Sequence, residues 1–137
     1  MIDIEKELRH ALVSMGGVQG MVLDRVWADW FRSKTVPAVM FEIDHENRDN
    51  DLEGRGGLVV AEANVICRAN TKAEARRLAE AVRANGTDPG TGLAGYTGTF
   101  DAVLDDIQLA AVPKGDGSNA HWYDANMSFT LLWKELR

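Results

Sequence analysis

The chain has 137 residues, of which 45% are hydrophobic and 26% charged, the composition of an ordinary globular protein of about one domain. Fifteen basic against twenty-one acidic side chains leave a net charge of -6, which argues against a protein that grips DNA by neutralising phosphates. One cysteine, Cys67, excludes an internal disulfide framework, and no apolar run approaches the roughly 18 residues of a membrane-spanning helix. The segment Met1 to Arg9 is charged from Asp3 onward and has no signal-like apolar core. These features predict a soluble, intracellular, single-domain protein over 1–137.

Between Ile2 and Met15, apolar residues recur at Ile4, Leu8, Ala11, Leu12 and Met15, which places one stripe on a helix. Asp3 is its expected N-cap, and Gly16-Gly17 is expected to stop it. A short strand is read around Val22 to Trp27. Pro37 then holds Val36 out of helical geometry and opens a strand in which Val39, Phe41 and Ile43 alternate with Met40, Glu42 and Asp44. Residues 45–57 carry no periodicity and read as a solvated acidic loop.

Val59, Ala61, Ala63, Val65 and Cys67 share one face of the next strand, with Glu62, Asn64 and Arg68 on the other. Cys67 on the apolar face reads as a buried, inert thiol. Thr71-Lys72-Ala73-Glu74 is a capping box that opens a helix with Ala75, Leu78, Ala79 and Val82 inward and Asn85-Gly86 at its end. A glycine-rich connection runs over 86–98. Phe100, Ala102 and Leu104 keep one strand phase and Ile107, Leu109 and Ala111 the other, so a bulge is expected near Asp105-Asp106. Lys114 to Asn119 turns this strand into a hairpin. The last strand alternates Tyr123, Ala125, Met127, Phe129, Leu131 and Trp133 with Asp124, Asn126, Ser128 and Thr130. The fold class expected is α+β: one mostly antiparallel, twisted sheet with two helices on one face, in the order α-β-β-β-α-β-β.

No catalytic motif emerges. Asp49-Asn50-Asp51-Leu52-Glu53-Gly54 imitates the opening of an EF-hand loop, but Val60 stands where the closing glutamate belongs and the flanks read as strands. Gly90-Thr91-Gly92-Leu93-Ala94-Gly95 spells GxGxxG, yet a helix precedes it and a strand follows, the reverse of a dinucleotide site. His10, His45 and His121 lack metal-pair spacing, and Asp44, His45 and Glu46 read as a solvated charge cluster. No cofactor, metal or catalytic residue is therefore expected.

Interaction residues stand out more clearly. The stretch Arg68 to Arg83 holds five basic and two acidic side chains, a local +3 that leaves the remainder at -9. That asymmetry suits contact between copies, one basic strip facing another copy's acidic loop. Trp122 has the opposite phase from Tyr123 and should point away from the apolar face. Trp27, Trp30 and Phe31 cannot all face one side of a strand, and exposed aromatics with polar rims mark protein interfaces. The candidate interface residues are Trp27, Trp30, Phe31, Asp49, Asp51, Glu53, Arg55, Arg76, Arg83 and Trp122.

The opening IEKELRHALV, the segment VLDRVW, the strand TVPAVMFEID, the strand-plus-helix ANVICRANTKAEARRLAEAVR and the closing WYDANMSFTLLWKE resemble the small tail-completion proteins of long-tailed phages, the tail terminators or head-to-tail joining proteins. The similarity covers nearly the full chain and lies in element order and in the TxxEAxxLxxxVR pattern, which encodes packing rather than chemistry. It implies a structural virion protein, not an enzyme. Such a protein forms a ring, expected to be hexameric, that caps the tail tube and meets the head connector. Its partners would be itself, the tail-tube protein and the head connector, with DNA only in passage and no membrane. Its place would be the virion tail, after assembly in the host cytoplasm. The acidic loop from Asp44 to Glu53 is a departure, longer than the family pattern. The alternatives are a head-completion or minor tail protein of the same fold, or a small ligand-binding α+β domain.

Overall fold

A computed structural model describes residues 3–14, 16–48, 58–84, 93, 100–115, 117 and 119–134. The elements run α1 (Ile4–Ser14), α2 (Gly16–Val22), β1 (Val26–Ala28), β2 (Ala38–Arg48), β3 (Leu58–Ala69), α3 (Lys72–Ala84), β4 (Asp101–Pro113) and β5 (His121–Lys134). The fold is α+β, with a five-stranded sheet in the order β1-β2-β3-β5-β4. Only β1 and β2 run parallel; the other neighbours are antiparallel.

Helix α1 forms where its stripe predicts. Ile4, Leu8, Ala11 and Leu12 are buried, and the Lys6 N–H donates to the Asp3 carboxylate at 3.2 Å, the N-cap bond. Helix α1 ends at Ser14, just ahead of the glycine pair read as its stop, yet the pair itself is helical. It opens α2, whose Val18 and Val22 lie four residues apart and are both fully buried. Burying two valines outweighs the helix penalty of glycine, about 1 kcal/mol each. A third helix is thus added to the two expected, and the order becomes α-α-β-β-β-α-β-β. The expected strand at Val22 to Trp27 shrinks to Val26–Ala28 because Val22 belongs to α2 and Leu23 turns out of it at φ 58°.

Strand β2 continues past Asp44 to Arg48, into the stretch read as loop. A register shift between Ile43 and His45 absorbs the loss of alternation, and Arg48 still pairs with Val59. Backbone hydrogen bonds need no apolar side chains, so the periodicity ended before the strand did. In β4 the second register shift falls between Leu104 and Asp106, where the phase switch predicts it.

Residues facing each other in these ladders share a side of the sheet. Val39, Phe41, Val59, Ala61, Ala63, Val65, Cys67, Ala125, Met127, Phe129, Leu131 and Trp133 form the inner side, buried with the apolar stripes of all three helices in one cluster. Helix α3 carries Ala75, Leu78, Ala79 and Val82 into it, and its start is capped by the Glu74 N–H donating to Thr71 Oγ1 at 3.1 Å. Small alanines let α3 lie close against β3 and β5. No helix among the described residues is long and apolar enough to cross a membrane.

Candidate interaction surface

The outer side of the sheet is polar and is where the strand phases put functional groups. Across its centre the Asn64 amide donates to Asp44, and Ser128 Oγ donates to Asn64 Oδ1 at 3.4 Å. Towards β4, Thr130 Oγ1 donates to Asp105 Oδ2 at 2.6 Å and Gln108 Nε2 donates to Asp106 at 3.0 Å.

One end of this outer side is more elaborate. Because β1 and β2 are parallel, residues 29–37 must return from the end of one strand to the start of the other. This strap brings Phe31 onto Arg68 of β3, with the guanidinium 4.3 Å from the ring centre. Trp122 of β5 takes the same guanidinium at 4.6 Å and has Lys114 Nζ at 5.9 Å. Arg68 also donates in bidentate fashion to Asp124, at 2.8 Å and 2.9 Å. Asp124 is only 5% exposed and is the one buried charged residue of the described chain. Its register neighbour across the ladder is Arg68 itself, so the pair is built by the β3–β5 alignment.

The strap is tied at its base. Arg25 Nε donates to the Pro37 carbonyl at 2.9 Å, and the Val39 N–H donates to the Arg25 carbonyl at the same distance. Between strap and sheet lies an open cleft of about 390 Å³, lined by Lys34, Thr35, Val36, Asn70, Lys114 and Trp122. On the inner side of the same ladder, burial pushes the Cys67 thiol well up from its ordinary range, and the nearby Asp124 carboxylate adds to the shift. Cys67 is therefore a core thiol, not a nucleophile.

The expected interface residues are dispersed. Trp122 faces outward as its phase predicts, but it is half-buried against Arg68 rather than free. Phe31 is half-buried in the same cluster, whereas Trp30 is 64% exposed. Trp27 pairs with Met40 on the outer side and is half-buried. Arg76 and Arg83 are exposed on α3, where Arg83 reaches Glu80 at 3.7 Å. Asp49, Asp51, Glu53 and Arg55 lie outside the described residues, as do the EF-hand-like stretch and, Leu93 apart, the GxGxxG stretch. Arg68 leaves the basic strip to which the sequence assigns it: its charge is closed on Asp124. Lys34, Asn70, Lys114 and Asp124 are not among the interface residues that the sequence singles out. Only the outward phase of Arg68 and Asp124 signalled them, and that phase does not say which strands are neighbours.

Among the described residues, no group of three or more His, Cys, Asp or Glu side chains is placed to hold a metal ion. The chain matches no family model and no curated protein.

Proposed function

We propose that this chain is a ring-forming structural protein of phage tails, of the terminator or head-to-tail joining kind that its sequence resembles, and not an enzyme. The observation that carries the reading is the edge of the sheet. Among the described residues, strand β4, Asp101–Pro113, has β5 on one side and no strand on the other. A long open edge offers a row of backbone groups to another chain. Asp101, Asp105 and Asp106 are exposed on it, so pairing two such edges would set acid against acid. Helix α3 exposes Lys72, Arg76, Arg77 and Arg83 elsewhere on the surface. An acidic patch and a basic patch at different places favour head-to-tail contacts, which close into rings when the rotation allows.

The ring would cap the tail tube and meet the head connector, and its net negative charge would let DNA pass without adhering. Native mass spectrometry and negative-stain imaging of the purified chain, alone and with tail-tube protein, test this. Closed rings, or subunits that close into rings on tube ends, are the expected result. A chain that stays monomeric and never associates with tail-tube protein would sink the reading.

A further inference from the structure

The cleft beneath the strap has a charge pattern that ring formation does not use. Lys34 and Lys114 both line it, one on the strap and one just beyond β4. The third cation nearby, Arg68, is held by Asp124, while neither lysine has a carboxylate partner among the described residues. Lys114 Nζ donates to Asn70 Oδ1 at 3.3 Å. That bond uses the acceptor of the Asn70 side chain and leaves its amide N–H₂ group as a donor. Trp122 supplies an apolar wall and, through its ring, a second hold on Lys114. The volume, about 390 Å³, is at the small end of the range for ligand sites. Two ammonium groups without a carboxylate partner among the described residues, in one concave site, make a local positive field on a chain whose net charge is -6.

We propose that this cleft binds an oxyanion, the phosphate or carboxylate group of a ligand, between Lys34 and Lys114. The Asn70 amide is the third donor, and Trp122 is the wall on which the rest of the ligand rests. The site is complete within one chain and does not depend on assembly. Its ligand comes from one of two sources, a small phosphorylated molecule or an acidic polypeptide segment.

The test is a ¹⁵N NMR titration of the full chain with inorganic phosphate and, separately, with a hexapeptide of glutamate. The Trp122 indole signal is assigned by its loss in Trp122→Phe. Both probes should shift that signal saturably and compete with each other. The double variant K34Q/K114Q should weaken both by about tenfold or more. R76Q/R83Q, which removes the same charge from α3, should change neither. Lys34 is exposed on the strap, so K34Q alone keeps the fold, as unshifted core methyl signals verify, and already weakens binding. The tighter probe identifies the source. An indole signal that never saturates, or equal weakening by R76Q/R83Q, would overturn the proposal.

Discussion

Arg68 carries three interactions at once: a bidentate bond to Asp124 and ring contacts to Phe31 and Trp122. Its side chain is 17% exposed and that of Asp124 is 7% exposed, so this pair is far less screened than a surface ion pair. Removing one partner strands a charge. Arg68→Ala should cost about 3 kcal/mol in urea unfolding, most of it from an uncompensated Asp124. The double variant R68M/D124L should cost much less than the two single changes added together, because no charge is left behind. If instead the costs add, the pair is not coupled and the rings alone hold the strap. Arg68→Lys is a poor substitute, since an ammonium has neither the fork for Asp124 nor the plane that lies on Phe31 and Trp122.

At the scale of elements, the end of α2 shows where the chain accepts strain. Leu23 follows the helix at φ 58° and is 61% exposed. A left-handed residue just after a helix is a common way to end it, and glycine is the residue that adopts it freely. Leucine there buries little and bears the cost of its Cβ. Leu23→Gly should therefore stabilise the protein by about 0.5–1 kcal/mol, read as a higher midpoint in thermal or urea unfolding. Destabilisation would show that the Leu23 side chain packs in solution. The same junction explains why α2 was not visible in the sequence. A run of Gly-Gly-Val-Gln-Gly has poor propensity, and its helicity comes from burying Val18 and Val22 beside α1 and α3. Strand β1 was blurred for a related reason: three residues are too few to show a period, and only pairing with Val39, Met40 and Phe41 defines them.

For the molecule as a whole, the exposed basic residues of α3 and the acidic outer edge of β4 are the two charges that assembly would bring together. Reversing one of them should be enough to tip the balance. R76E/R83E should shift the native mass spectrum towards monomers at low salt, and D105K/D106K added to it should restore association. Raising salt from 0.1 M to 1 M shortens the Debye length from about 10 Å to about 3 Å, so wild-type association should weaken in the same direction. Assembly indifferent to both changes would mean that the contacts are apolar, with Trp30, Leu23 and, on β4 itself, Val103 the exposed candidates. Trp30 could then be replaced by serine to check which.

The sequence by itself determined the buried sides of β3 and β5 and of β2 up to Ile43, the stripes and starts of α1 and α3, the β4 bulge and the α+β class. All of these follow from spacing between residues close along the chain, where a period of 2 or 3.6 writes itself directly into the residue order. The tertiary structure alone decided that Arg68 meets Asp124, 56 residues away, and that Phe31 and Trp122 close on one guanidinium. It also decided that Lys34 and Lys114 share a cleft. Each of these depends on which strands are neighbours and on the path of the strap between two parallel strands. Strand order is set by how the whole core packs, a cooperative choice that no local period encodes. The net charge of -6 is a sum, and the fold is what separates it into a closed ion pair, an acidic edge, a basic helix and a cleft with two lysines that have no carboxylate partner among the described residues.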